Sequence, residues 1–192
     1  MTLLVANDRC IIVDNLGTRG KFAYTCEKLA YLGYTGGDYL FGCLAGCVGT
    51  GELVMHSVMK GTTIPNKVED YSSTEVFMVA NNGDIGSVAC FNLPDGTGSV
   101  GQFREFFVPQ SAVTGDGARH LLTAVTLLNA GAVDVDTAKK VFTTLWLTDG
   151  RSKLADKLMF TVYDRTANDE NRVVRKNLDE VFNLLVDCVN ND

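Results

Sequence analysis

Short apolar runs rich in β-branched residues fill the first half of the chain, and residues of turn composition separate them. The runs come in pairs, which is the pattern of antiparallel hairpins. The first pair, for example, stands on either side of the polar triplet Asn7 to Arg9. The predicted hairpins join residues 2–6 with 10–13, 26–32 with 39–44, and 75–80 with 85–91. Residues 105–113 form a further extended segment, and residues 158–163 the last strand.

Apolar residues at helical spacing mark four other segments as helices. These are residues 52–60, 117–129, 137–147 and 173–189. Asp134 or Asp136 can cap the third helix. The stretches around Gly17 to Lys21 and from Gly96 to Gly101 are expected to be loops. Paired strands followed by helices predict an α+β fold in which helices cover antiparallel sheets.

Length, charge and the lengths of the apolar runs limit the number of domains and the kinds of partner that we expect for this protein. A chain of 192 residues with 46% hydrophobic residues can bury one core, and no linker divides it, so we expect a single domain over residues 1–192. The formal charge of -6 argues against the basic surface that sequence-independent nucleic-acid binding needs. The apolar runs are all shorter than the ~20 residues of a membrane-spanning helix. We therefore expect neither a nucleic acid nor a membrane as a partner.

The cysteines and histidines lack the spacing of metal ligands. Cys43 and Cys47 form no CxxC pair, and His56 and His120 form no HxxxH face. No export signal precedes the first strand, so the six cysteines are expected to be reduced thiols of a cytoplasmic protein. The segment Gly96 to Gly101 matches G-x-G-x-x-G, but it lacks the flanking parallel strand and helix of a dinucleotide site. We expect neither a metal nor a cofactor.

The N-terminal residues can carry chemistry. Thr2 is small, and methionine aminopeptidases remove Met1 when a small residue follows it. Removal would leave the threonine hydroxyl and a free α-amine on one residue, so that nucleophile and base stand together. The reference pKa of an α-amine is roughly 7.7–8.0, so a good fraction is neutral near pH 7 and can take the hydroxyl proton.

Several segments, in order along the chain, resemble the N-terminal nucleophile hydrolases of the proteasome β-subunit and bacterial HslV-type peptidase class. Residues Thr2 to Val5 followed by Ile11 to Asp14 are similar to the first hairpin of that class, whose second strand ends in an aspartate. Residues 26–29 are similar to the strand that carries the catalytic lysine of that class, and residues 45–49 to its Ala-Gly-x-x-Gly turn. Residues 114–118 are similar to its Gly-Ser-Gly turn before a helix. The likeness extends over about residues 2–163.

The resemblance implies a fold and a set of site residues. The fold is an αββα sandwich of two antiparallel sheets flanked by helices, with a shortened first helical layer. Thr2 would be the nucleophile, and Lys28 close to Asp14 would lower the pKa of its hydroxyl and amine by adding positive charge. The N–H of Gly46 would hold the developing oxyanion. Asp116 stands where the class has a serine, and its carboxylate would perturb or replace the proton relay.

The implied function is hydrolysis of peptide or amide bonds in a peptide or an unfolded protein. Members of the class enclose their sites in stacked rings, so a homo-oligomer is expected, with an ATPase unfoldase as a further partner. A second interpretation remains open: a catalytically inactive proteasome-like scaffold, inhibitor or assembly protein. Retention or loss of Met1 in the intact mass separates the two.

Overall fold

The chain divides into two compact units. The first consists of residues 1–27 and 110–192, and the second of residues 28–109. The computed structural model describes residues 2–7, 9–19, 22–35, 38–45, 74–80, 85–92, 98–100, 104–106, 112–147, 158–164, 166–168 and 173–190. In the sequence, the second unit is therefore one continuous segment, and the first unit combines the residues before it with those after it.

The described residues form short strands and three helices. The strands are β1 (Leu4–Ala6), β2 (Cys10–Asp14), β3 (Leu16–Arg19), β4 (Phe22–Thr25), β5 (Leu29–Thr35), β6 (Asp38–Ala45), β7 (Thr74–Ala80), β8 (Ile85–Asn92), β9 (Gly98–Val100), β10 (Arg104–Phe106), β11 (Ala112–Thr114), β12 (Met159–Asp164) and β13 (Val173–Asn177). The helices are α1 (Ala118–Asn129), α2 (Val135–Trp146) and α3 (Leu178–Asn190).

An antiparallel sheet of five strands organises the first unit, in the order β11-β1-β2-β12-β13. Leu4 in β1 pairs with Val13 in β2 on one side and with Thr114 in β11 on the other. Every residue of β1 and β2 is buried, so both faces of these two strands lie away from solvent. This burial explains their almost unbroken apolar sequence. The hairpin β3–β4 forms a separate two-stranded sheet directly after β2.

The hydrophobic core of this unit joins one face of the sheet to the three helices. Alternate sheet residues, such as Val5 and Ile12, belong to the same buried cluster as residues from every helix. Phe142 of α2 is fully buried in this cluster, and its ring centroid lies 5.1 Å from that of Trp146 and 6.4 Å from that of Phe182. Burying a side chain of this size contributes about 1.5–3 kcal/mol.

A six-stranded antiparallel sheet forms the second unit. Its strands follow the order β10-β8-β7-β6-β5, and β9 also pairs with β8. Leu40 in β6 pairs with Ala80 in β7, and a register shift between Tyr31 and Gly33 interrupts the pairing of β5 with β6.

Most of the predicted elements are confirmed. The three expected hairpins are β1–β2, β5–β6 and β7–β8. Helices α1 and α2 lie where the apolar spacing predicts them. The choice of cap for α2 resolves to Asp134, whose Oδ1 accepts a hydrogen bond of 2.7 Å from the N–H of Thr137. The α+β class with two antiparallel sheets and helices is also confirmed.

Three predictions are wrong. The expected loop around Gly17 to Lys21 contains the paired strands β3 and β4. Within the other expected loop, Gly98–Val100 pairs with β8, because its backbone groups complete a sheet edge despite the glycines. The last helix begins at Leu178 rather than at residue 173, since Val173–Asn177 forms strand β13 beside β12. The helix predicted over residues 52–60 lies outside the described residues, and the single domain stays a prediction.

Candidate functional site

Both polar groups of the peptide that joins Thr2 to Leu3 have defined partners. The carbonyl oxygen of Thr2 accepts a hydrogen bond of 2.9 Å from the N–H of Gly117. The N–H of Leu3 donates to Oδ1 of Asp14 over 2.6 Å. Thr2 itself is 2% exposed. The start of β1 is therefore held from two sides, by β2 and by the turn that precedes α1.

That turn can approach Thr2 only because it contains glycines. Gly115 has a φ of +90°, and a Cβ on it would lie 2.2 Å from the carbonyl oxygen of Thr2. A Cβ on Gly117 would lie 2.9 Å from the Cβ of Leu3 and from Cε2 of Trp146. A side chain at either position would push the turn away from the first residues of β1. Asp116, between the two glycines, is exposed.

Asp14 ends β2 with a fully buried carboxylate. Besides the bond from Leu3, its Oδ2 accepts a hydrogen bond of 2.9 Å from the N–H of Leu16. Two backbone donors thus replace part of the hydration that the carboxylate loses on burial. The main chain reinforces this arrangement, because the N–H of Asp14 donates to the carbonyl of Leu3 over 3.1 Å.

A polar network fixes the segment that leads to Lys28. Asn15 and Cys26 exchange two hydrogen bonds, one from the N–H of Cys26 (3.0 Å) and one from Nδ2 of Asn15 (3.2 Å). The buried hydroxyl of Thr161 lies 3.1 Å from Oδ1 of Asn15 and 3.3 Å from Oε2 of Glu27. Arg175 pairs with the other oxygen of Glu27. Residues 26 and 27 are therefore tied to Asn15, the residue after β2, and to β12 and β13.

The five site residues predicted from the sequence fall into three groups. Thr2, Asp14 and Asp116 lie in the first unit, and the contacts of Leu3, Gly115 and Gly117 bring their backbones together. Lys28 is the first residue of the second unit and is 5% exposed. Gly46 lies outside the described residues.

Sequence reasoning missed the polar residues that hold the segment before Lys28. The buried amide of Asn15 and the Glu27–Arg175 ion pair are not in any motif, and Thr161 is 146 positions from Asn15. One usable signal was present. Polar residues such as Thr161, in the middle of an apolar strand, need hydrogen-bond partners when the strand is buried.

Comparisons with known proteins bear on the fold. No protein-family model and no curated protein matches the sequence. Among solved structures, the chain is similar to Anbu from Hyphomicrobium sp. strain MC1, with 12% identity and a TM-score of 0.51 over 97% of this chain and 92% of that chain. It is also similar to Anbu (ancestral beta-subunit) from Yersinia bercovieri, with 10% identity and a TM-score of 0.48 over 97% and 92% of the two chains. A third similar structure is Thiobacillus denitrificans BPH in complex with epoxomicin, with 13% identity and a TM-score of 0.43 over 87% of this chain and 100% of that chain.

The first of these similarities defines the class of fold. It covers nearly the whole chain, and it places the two antiparallel sheets and the helices in the proteasome-like N-terminal nucleophile fold. At 12% identity it shows the fold alone. Among the helices that the structure describes, none has both the length and the apolar character to cross a bilayer.

Proposed function

We propose that the chain is a threonine-type N-terminal nucleophile hydrolase that cleaves peptide or amide bonds. The two hydrogen bonds of the Thr2–Leu3 peptide, with Asp14 and with Gly117, are the observation that supports this proposal most strongly. A residue that uses its own α-amine as the base cannot also rely on that amine for its position. The Leu3 N–H donates to Asp14 and the Thr2 carbonyl accepts from Gly117, so these two hydrogen bonds orient Thr2 through the peptide that follows it and not through its α-amine.

The reaction starts from a chain without Met1. The α-amine of Thr2 takes the proton of the Thr2 hydroxyl, directly or through a water, and Oγ1 attacks the carbonyl carbon of the substrate. The C–N bond then breaks, and the amine product leaves with that proton. Thr2 is left as an ester, and water hydrolyses it to release the acid product and the free hydroxyl.

The other four residues stabilise charge or move protons in this proposal. The ammonium of Lys28 stabilises the negative charge that develops on Oγ1, and the carboxylate of Asp14 balances the ammonium. The N–H of Gly46 holds the oxyanion of the tetrahedral intermediate. Asp116 is assigned to the proton relay, because both of its neighbours, Gly115 and Gly117, contact Thr2.

The proposal includes partners and a location. The substrate is a peptide or an unfolded protein, and an ATPase unfoldase would deliver the latter. An unenclosed peptidase site would be hazardous in the cytoplasm, so the active form is a homo-oligomer that shields it. Sedimentation velocity at micromolar concentration tests this part, and a monomer with full peptidase activity would contradict it.

One observation favours a second candidate function. Thr2 is only 2% exposed, which suits a catalytically inactive proteasome-like scaffold or assembly protein better than an open nucleophile. Such a protein would keep the fold and would have no need to lose Met1.

Intact mass and two variants at Thr2 decide between the candidates. An active preparation should lack Met1, and Thr2→Ala should abolish turnover of a fluorogenic peptide while its melting temperature stays within a few degrees. Thr2→Ser is the matched control, since it keeps a hydroxyl beside the α-amine and should retain measurable turnover. Full retention of Met1 in an active preparation, or unchanged turnover in Thr2→Ala, would refute the hydrolase.

A further inference from the structure

Two cysteines meet in the core of the first unit, although 178 positions separate them in the sequence. Cys10 is the first residue of β2, and Cys188 lies in the last turn of α3. Their Sγ atoms are 3.4 Å apart, and each residue is 1% exposed. Both are thiols in this structure.

The side chain of Asn7 orients this pair. Its Oδ1 accepts hydrogen bonds from the N–H groups of Arg9 (3.0 Å) and Cys10 (2.8 Å), which close the turn between β1 and β2. With the oxygen used in this way, the amide nitrogen faces Cys188 and donates to its Sγ over 3.1 Å. Cys188 therefore receives a hydrogen bond that Cys10 lacks.

The two thiols also differ in pKa, mainly because of the hydrogen bond between them. The hydrogen bond from Cys10, with the positive charge of Arg9 and the hydrogen bond from Asn7, holds the pKa of Cys188 below its usual value despite burial. The same hydrogen bond to Cys188, together with burial, raises the pKa of Cys10. Cys188, which accepts the hydrogen bond from Asn7, is thus the sulfur at which a thiolate is better stabilised, and the thiolate is the form that oxidants attack.

We propose that Cys10 and Cys188 form an oxidation site, which a small two-electron oxidant such as hydrogen peroxide converts into a disulfide between β2 and α3. The Cys188 thiolate attacks one peroxide oxygen, the O–O bond breaks, and the other oxygen leaves as hydroxide and takes a proton to become water. Cys10 then attacks the sulfur of the Cys188 sulfenic acid. The S–O bond breaks, and the second oxygen leaves as water with the proton of Cys10.

The position of Cys188 gives the oxidant access and lets the sulfurs approach. It lies two residues before the end of α3, and the hydrogen bond from Asn129 to Asn190 that secures this end is exposed. Helix ends open locally at a small free-energy cost. The same freedom lets the sulfurs close from 3.4 Å to the roughly 2.05 Å of a disulfide.

The disulfide would stabilise the first unit. It would link residues near both ends of the chain, and a cross-link across so long a segment restricts the unfolded state strongly. The oxidised protein should therefore melt at a higher temperature than the reduced one. Dithiothreitol should reverse the shift.

Peroxide treatment of the full chain tests the proposal. The protein is oxidised, unfolded, labelled with N-ethylmaleimide and mapped by mass spectrometry without reduction. We expect two fewer labelled thiols than in the reduced protein and a cross-linked peptide pair that contains Cys10 and Cys188. If both cysteines still take the label, if either stops at sulfinic acid, or if another pair accounts for the loss, the proposal is wrong.

Variants sharpen this result. Cys188→Ser should abolish the cross-link, and Cys26→Ser, at a partly exposed thiol, is the matched control that should keep it. Asn7→Asp keeps the oxygen that closes the turn but replaces the donor to Cys188, so oxidation should slow by about tenfold. An unchanged rate in Asn7→Asp would contradict the role of the amide. The wild-type map decides the main claim even if a serine variant fails to fold.

Discussion

Replacing Gly115 by alanine tests whether the turn before α1 positions Thr2. The φ of +90° is strained for alanine, at a cost of about 1–2 kcal/mol. The new Cβ would also lie 2.2 Å from the carbonyl oxygen of Thr2, so that one backbone must move by about 1 Å to reach van der Waals contact. This movement breaks the 2.9 Å hydrogen bond from Gly117 to Thr2, which is worth about 1 kcal/mol. We expect Gly115→Ala to lower the free energy of unfolding by about 2–4 kcal/mol.

The chain offers a matched control at Gly131. This residue also has a positive φ, of +67°, but a Cβ on it would meet nothing within 4 Å. Gly131→Ala should therefore show the conformational strain without the contact. Urea unfolding is followed by the fluorescence of Trp146, the single tryptophan, which lies against Gly117. Gly115→Ala should lose peptide hydrolysis and Gly131→Ala should keep it. Equal free energies of unfolding for the two variants would refute the claim that the turn restrains Thr2.

Three further substitutions probe the charged residues around the site. Asp14→Ala leaves the buried N–H groups of Leu3 and Leu16 without an acceptor, so urea unfolding should show a loss of about 2–6 kcal/mol, and a loss under about 1 kcal/mol would contradict this. Arg175→Met removes a pair whose side chains are 58% and 49% exposed, so the same measurement should show a change below about 1 kcal/mol. Lys28→Met should fold and hydrolyse a fluorogenic peptide at under about one hundredth of the wild-type rate. Full activity in that variant would make Lys28 a structural residue.

The elements that the sequence predicts well are those with a local cause. Helices α1 and α2 follow from their apolar spacing, and β1–β2 follows from two apolar runs on either side of a polar turn. Strand β13 was missed because Val174 continues the apolar stripe of α3 through Leu178 and Val181, so that periodicity alone extends the helix. The overlooked signal is the capping box, in which Asn177 and Glu180 exchange hydrogen bonds of 3.0 Å.

The candidate site likewise has features that are local in the sequence and features that depend on distant residues. Thr2 and Asp14 could be proposed because local features mark them: Thr2 is a small residue after Met1, and Asp14 ends the second strand of a hairpin that resembles the first hairpin of the hydrolase class. The contact of Gly115 with Thr2 depends on β1 pairing with β11, which are over one hundred positions apart. Such a contact is set by the register of the folded sheet, and a single sequence has no pattern that encodes it.

Two buried charged residues, Asp14 and Lys28, help to distinguish an active hydrolase from an inactive scaffold. Asp14 is fully buried and Lys28 is 5% exposed, and apolar residues of similar volume would in general pack such positions at equal or lower free energy. Asp14 serves the fold in either case, since it accepts hydrogen bonds from the N–H groups of Leu3 and Leu16. A buried ammonium such as that of Lys28, in contrast, is what a threonine nucleophile needs, because water does not screen its charge. The double variant Asp14→Asn with Lys28→Met separates the two roles, since it removes both buried charges while the asparagine oxygen keeps an acceptor for one of the two backbone N–H groups. If it folds and hydrolyses no peptide while the wild type does, the charges serve the reaction. If it unfolds while Thr2→Ala remains as inert as the wild type, the buried charges serve the fold and the scaffold is the better account.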